Sequence, residues 1–73
     1  MLLHMVNATM NKQEAIHVFG TAAALARALG INRANITQWP NELPLYQSDR
    51  VVGAAIRTGR ADRLPLRIKD YFS

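Results

Sequence analysis

A single glycine between two short apolar patterns constrains this chain more than any other feature. Residues 21–39 read TAAALARALGINRANITQW, and the spacing predicts one helix before Gly30 and another after Asn32. Two helices can cross at a steep angle through a short turn only under two conditions. One residue of the turn must adopt a left-handed backbone conformation, and the first helix must carry a small side chain where the second passes it. Gly30 meets the first need and Ala26 the second. The segment is therefore predicted to be a sharply turned helical pair.

Polar and apolar residues in this pair are spaced to give each helix one inner and one outer face. Thr21 and Asn32 are the predicted N-caps, because each side chain can accept a hydrogen bond from an unpaired amide. Pro40 ends the second helix. The apolar residues predicted to face the core are Leu25, Leu29, Ile31, Ile36 and Trp39.

The outer face of the second helix carries side chains that can read base pairs. These are Arg33, Ala34, Thr37 and Gln38, flanked by Asn32 and Asn35. Arginine pairs with guanine, glutamine and asparagine with adenine, and the methyl groups of alanine and threonine contact the thymine methyl in the major groove. The pattern is typical of a DNA-binding helix-turn-helix, although such a hairpin can also be a simple packing unit.

The segment Lys12 to Trp39 resembles the Cro-type repressors of lambdoid phages and prophages. The similarity is most specific at Phe19-Gly20-Thr21, at Leu29-Gly30-Ile31 and at Gln38-Trp39, and it weakens in the C-terminal third. It implies a small transcriptional repressor that binds a short palindromic operator as a dimer, with the second helix in the major groove. By matching position, it places base contacts on Arg33, Ala34, Thr37 and Gln38, and phosphate contacts near Thr21, Ala22, Asn32 and Asn35.

Two further arginines are candidates for phosphate contacts. Arg50 and Arg57 lie seven residues apart and so share one edge of a predicted fourth helix, where a solvated face is the equally simple reading. The unpaired amides at the start of the Thr21 helix can hold another phosphate. Together these groups predict DNA binding that weakens with salt.

The remaining elements follow from capping and turn residues. Asn11 and Glu14 form a predicted capping box that opens a helix over 12–19, and residues 40–44 form a loop with two prolines. Ser48-Asp49 is predicted to cap a helix through Arg57, with Val52, Ala55 and Ile56 on its buried face, although this helix can also start at Leu45. Residues 10–73 form the predicted single domain, and residues 1–9 a flexible extension.

The last segment, residues 60–73, fits two structures. From Leu64 to Phe72, apolar and polar residues alternate over part of the stretch, as they do in a strand. Ile68, Tyr71 and Phe72 also fit one face of a helix. The resemblance leaves both open, since some Cro proteins end in helices and others in a β-hairpin. The 45–58 stretch lacks a hairpin turn, and this favours an all-α, λ-repressor-like domain of five helices over an α+β fold with a C-terminal hairpin.

Composition narrows the function classes. The chain has 73 residues and a net charge of +4, and six of its nine basic residues lie from residue 50 onward, which favours a polyanionic partner. It contains no cysteine, no membrane-length apolar run and no convincing export signal, so we expect a cytoplasmic, nucleoid-associated protein of a bacterial host cell. His4 and His17 lack metal-ligand spacing, and no nucleophile pairs with a base.

The sequence therefore predicts a protein without a catalytic site, metal, cofactor, small-molecule substrate or membrane partner. Double-stranded operator DNA is the predicted partner, bound by a homodimer. The alternative from another class is an antitoxin-like or other protein-interaction module built on the same helical pair.

Overall fold

The computed structural model describes residues 9–71 and shows five α-helices joined by short connections. These are α1 (Lys12–Phe19), α2 (Ala22–Leu29), α3 (Arg33–Gln38), α4 (Leu45–Arg57) and α5 (Leu66–Tyr71), with a 3-10 turn at Ala61–Arg63. Within residues 9–71 the backbone forms no strand, only one antiparallel bridge between Asn11 and Glu42. The all-α prediction is confirmed, and the β-hairpin alternative is not supported.

The first three helices begin and end where the capping residues predict. The Asn11 side chain accepts a hydrogen bond from the Glu14 N–H at 2.8 Å, and the Glu14 carboxylate accepts one from the Asn11 N–H at 3.0 Å. Thr21 caps α2 by accepting from Ala24 at 3.0 Å, and Asn32 caps α3 by accepting from Ala34 at 3.0 Å. These bonds satisfy amides that have no partner inside their helices.

Gly30 makes the turn between α2 and α3 by adopting a left-handed conformation, with φ of +70° and ψ of 30°. Its N–H donates to the Arg27 carbonyl at 3.2 Å, and the next N–H, from Ile31, donates to the Ala26 carbonyl at 3.0 Å. Both bonds use carbonyls at the end of α2 that would otherwise lack partners. The glycine therefore sets the direction in which α3 leaves α2.

Exchanging glycine for alanine should have opposite effects at Gly30 and Gly53. Neither site has an atom within 4 Å of an added Cβ, so no clash is involved. At Gly30 the positive φ is unfavourable for alanine, and Gly30→Ala should lower the free energy of unfolding by about 1–2 kcal/mol. At Gly53, inside α4, Gly53→Ala should raise it by about 0.5–1 kcal/mol. Urea titration of both variants checks this; equal shifts would contradict the role of backbone conformation.

The hydrophobic core draws on all five helices and on the connecting segments. Of the residues of the turned pair predicted to face the core, Leu25, Ile36 and Trp39 are buried. Leu29 and Ile31 pack against the core but are only partly buried. The buried hydrophobic residues are Met10, Ala15, Val18, Phe19, Leu25, Ala26, Ile36, Trp39, Leu43, Val51, Val52, Ala54, Ala55, Leu64 and Ile68. The helical pair is thus part of the same core as the helices around it.

Two predictions about α4 need correction. The helix starts at Leu45, the earlier of the two predicted positions, and Ser48 lies fully buried one turn inside it. The Ser48 hydroxyl accepts a hydrogen bond from the Met10 N–H at 2.9 Å, so it satisfies a distant amide and does not cap the helix. Ile56 is 59% exposed and does not share the buried face of Val52.

The C-terminal segment ends in a short helix, α5, and its apolar residues are not buried in the pattern that a strand would give. A strand would place Leu64, Leu66 and Ile68 on one face. The structure buries Leu64 and Ile68, four residues apart, and leaves Leu66 71% exposed. Pro65 precedes α5, and its carbonyl accepts hydrogen bonds from Ile68 and Lys69 in the first turn. Phe72 and the side chain of Tyr71, which the sequence analysis also assigned to this face, lie outside the described part of the chain.

An ion pair joins α5 to the start of α1. The Arg67 guanidinium donates to both carboxylate oxygens of Glu14, at 2.6 and 2.7 Å, and to the carbonyl of Thr9 at 2.9 Å. Thr9 is therefore held against the domain; the rest of the predicted extension, residues 1–8 with His4, lies outside the described residues. The Arg67 hydrogen bonds, supported by the N–H of Asn11, lower the pKa of Glu14 against the opposing effect of burial.

This ion pair should contribute stability that is lost in acid. The pKa of Glu14 is lower in the folded protein than in the unfolded chain, so the unfolded chain takes up a proton first as the pH falls. The stability that the ion pair contributes is therefore fully present above the ordinary carboxyl pKa. It is lost as the pH falls through the pKa that Glu14 has in the folded protein. Glu14→Gln keeps a capping residue but should flatten the acid side of a stability-against-pH curve measured by urea denaturation. Asp49→Asn, an exposed control, should leave that curve unchanged. A Glu14→Gln curve parallel to that of the wild type would contradict this account.

Candidate nucleic-acid interface

The second helix of the turned pair, α3, presents one buried residue to the core and exposes the rest. Ile36 is 1% exposed, and Trp39, just past the helix, is 9% exposed. The four residues predicted to read bases, Arg33, Ala34, Thr37 and Gln38, are all exposed, as are the flanking Asn32 and Asn35. The structure therefore brings the predicted base-reading residues together on one short, solvent-facing helix.

The side chain of Arg33 is available for a ligand. Within residues 9–71 its guanidinium makes no hydrogen bond or ion pair, and it stands in the first turn of α3 beside the Asn32 cap. An arginine guanidinium has five N–H donors in a planar arrangement, and when they are unoccupied they can pair with the two acceptors of a guanine edge or with phosphate oxygens.

The start of α2 exposes the predicted backbone-binding groups. Thr21 is exposed, and its hydroxyl oxygen accepts a hydrogen bond from the N–H of Ala24, the third residue of α2. The amides of Ala22 and Ala23 lie in the first turn, where no intrahelical carbonyl is available to them. An N–H pair at the positive end of a helix can hold a phosphate oxygen.

The two arginines of α4 lie in different surroundings. Arg50 is exposed and donates to the Gln47 side chain at 3.2 Å; it lines an open groove of about 390 Å³ that also includes Asn35 and Gln38 of α3. Arg57 is exposed too, but it donates to the Ala28 carbonyl at the end of α2, at 2.5 Å. Arg50 therefore adjoins α3, whereas Arg57 supports α2.

Lys12 is a residue of this region that the sequence analysis missed. Its ammonium group donates to the carbonyls of Thr37 and Trp39, at 3.2 and 3.1 Å, at the end of α3. The sequence does contain a signal for it, since a lysine in the first turn of α1 opposes the positive end of that helix. Such a mismatch indicates that the charge has a partner in another element.

The described part of the chain offers no sign of a metal or membrane site. Between residues 9 and 71 no three His, Cys, Asp or Glu side chains group closely enough to hold a metal ion. Searched over the same residues, no helix has the length and apolar character needed to cross a bilayer.

Comparison with known proteins gives one consistent result. Residues 11–61 match the family model described as "DNA-binding transcriptional regulator Cro". The chain is also 37% identical over 51 residues to the regulatory protein cro of Salmonella phage P22, an alignment that covers 66% of this chain and 84% of that protein. No solved structure matches. The matched segment contains α1 to α4 and therefore the whole turned helical pair.

Proposed function

Because this chain belongs to the Cro family of DNA-binding transcriptional regulators, which are not enzymes, we propose that it represses transcription from a short palindromic operator. It binds as a homodimer, with α3 of each copy in the major groove. The observation that carries this proposal is the exposed polar face of α3, a helix in which Ile36 is the one buried residue.

Four side chains of α3 read the base pairs. Arg33 donates a pair of hydrogen bonds to a guanine, Gln38 pairs with an adenine, and the methyl groups of Ala34 and Thr37 contact thymine. Their exposure supports this assignment, as does the absence of any internal partner of Arg33 within residues 9–71. Direct contacts of this kind supply the discrimination between sequences.

A second set of groups holds the phosphates on both sides of the groove. Thr21 and Ala22 stand at the start of α2, where the first-turn amides are unpaired, while Asn32 and Asn35 flank the reading face of α3. Arg50 extends the same surface from α4 through the groove that it shares with Asn35. These contacts set affinity and register without reading sequence.

Arg57 takes a dual role in this proposal. Its bond to the Ala28 carbonyl occupies one of the five donors of the guanidinium, and the others remain available for a phosphate oxygen. It therefore both supports the end of α2 and contributes to the salt-dependent part of binding.

An apolar groove between α4 and α5 is the proposed contact between the two copies. It has a volume of about 340 Å³ and is lined by Val52, Ile56, Ala61, Asp62, Leu64 and Lys69. Ile56 projects from its edge with 59% of its surface exposed, and an acidic and a basic residue flank it. A two-fold axis brings identical surfaces together, so the same apolar groove can pair with itself.

Selection of bound sequences from random duplexes tests this function. We expect a palindrome whose half-sites are about 10 base pairs apart, one turn of the double helix. Sedimentation of the complex should give two copies per palindrome. A selected pool without a common sequence would overturn the proposal in favour of a protein-interaction module. One copy bound to a common sequence without symmetry would overturn the homodimer on a palindromic operator.

A further inference from the structure

Lys12 makes contacts that the proposed DNA interface does not use. We propose that Lys12 is a positioning residue for DNA recognition, which closes the C-terminal end of α3 and holds the reading helix in place against α1. The inference rests on the proposed function for its effect on DNA, although its structural part stands on contacts within the protein. Lys12 itself is not assigned to the DNA.

Lys12 makes three hydrogen bonds to the end of α3 and to the loop that follows it. The ammonium group of Lys12 donates to the Thr37 carbonyl at 3.2 Å and to the Trp39 carbonyl at 3.1 Å. Its backbone N–H donates to the Asn41 carbonyl at 2.7 Å. The three bonds span the end of α3 and the loop beyond it, so this end of the helix depends on the first residue of α1.

The end of α3 needs such a partner. A helix of six residues has carbonyls in its last turn that no following amide can reach, and Pro40 has no N–H with which to extend it. The Trp39 N–H reaches only the Ile36 carbonyl, at 3.1 Å. A cation also matches the negative partial charge at the end of a helix. Lys12 therefore supplies both the hydrogen bonds and the sign of charge that this end lacks.

The position of Lys12 on its own helix supports the same assignment. As the first residue of α1, it stands where a helix carries positive partial charge and disfavours a cation. The capping box of Asn11 and Glu14 already satisfies amides at this end. The benefit of a lysine here lies in α3 and not in α1.

The helix that carries Lys12 is itself fixed. Glu14, two residues along, accepts both hydrogen bonds of the Arg67 ion pair, and Arg67 also holds the Thr9 carbonyl. The Asn11–Glu42 bridge ties the same end of α1 to the loop after α3. Loss of the ammonium group should therefore release the end of α3, which carries Thr37 and Gln38, and leave α1 in place.

Hydrogen exchange tests the structural part without DNA. Lys12→Met keeps a long aliphatic side chain but removes the donor, and the amides of Thr37 and Gln38 should exchange about tenfold faster than in the wild type, beyond any change in α4. Lys12→Arg, which keeps charge and donors, should restore most of the protection. Protection of α3 that falls no more than that of α4 would overturn the assignment.

Binding to two duplexes tests the positioning role. For Lys12→Met, the ratio of affinities for the selected operator and a random duplex should fall about tenfold. The control Arg50→Gln removes one charge at a proposed phosphate contact beside α3 and should weaken both duplexes alike. If Lys12→Met lowers the affinity for both duplexes by the same factor, the positioning role in DNA recognition is wrong. Wild-type protein that does not distinguish the duplexes would overturn the proposed function, while hydrogen exchange would still decide whether Lys12 holds α3.

Discussion

Replacing Ile36 by alanine should lower the free energy of unfolding by about 2–5 kcal/mol, the usual cost of deleting a buried branched side chain. Ile36 is 1% exposed and is the one residue that α3 buries. A domain of this size has only about 4–11 kcal/mol of stability, so the variant should be partly unfolded near body temperature. Thermal and urea denaturation followed by circular dichroism measure the loss.

The same substitution at Ile56 is the matched control. Ile56 is 59% exposed on α4 and lies in the proposed contact between two copies, so both variants are measured at a protein concentration that leaves the chain monomeric. Ile56→Ala should then change the free energy of unfolding by about 0.5 kcal/mol or less. The two variants remove the same atoms, so any difference comes from burial. Similar losses at both positions would show that α3 is not anchored to the core in the way that the structure describes.

Replacing Arg33 by alanine should weaken binding to the selected operator by about 1–3 kcal/mol and relax the preference at one base pair of each half-site. The reason is that a paired hydrogen bond to a base edge is lost at one position only, while the phosphate contacts remain. Because Arg33 is exposed and makes no bond within residues 9–71, its removal should leave the fold unchanged. Titration against the operator, single-site variants and a random duplex measures the effect.

Arg50→Ala is the control for charge. It removes an exposed arginine next to α3, where we propose a phosphate contact. It should weaken binding to all duplexes alike and reduce the slope of log affinity against log salt by about one. If Arg33→Ala behaves in the same manner as Arg50→Ala, then Arg33 contacts the backbone and its base-reading role is wrong.

Elements fixed by local chemistry could be predicted from the sequence. The capping box of Asn11 and Glu14, the caps Thr21 and Asn32 and the left-handed Gly30 each involve residues within three or four positions of one another. Their hydrogen bonds form within one turn, so the sequence pattern is sufficient to place them. The exposed face of α3 follows in the same way from helical spacing around Ile36.

Features that depend on distant partners could not be predicted. Ser48 looks like a helix cap in the sequence, but its hydroxyl satisfies the amide of Met10, 38 residues away. Ile56 fits an apolar stripe, yet nothing in the described chain covers it. Lys12 reaches carbonyls 25 and 27 residues away. Periodicity cannot indicate which neighbour a residue meets across the fold.

The sequence by itself determined the first three helices, the sharp turn between α2 and α3 and the set of side chains that α3 exposes, because short-range hydrogen bonds and helical periodicity specify them. The tertiary structure decided between the two predicted starts of α4, and it confirmed the helix that the sequence had favoured over a strand in the C-terminal segment. In the folded chain Leu64 and Ile68 are buried and Leu66 is exposed, a pattern that a strand through these three residues would not give. The tertiary structure also decided how the end of α3 is held, because the carbonyls there receive their donor from Lys12, at the start of another helix.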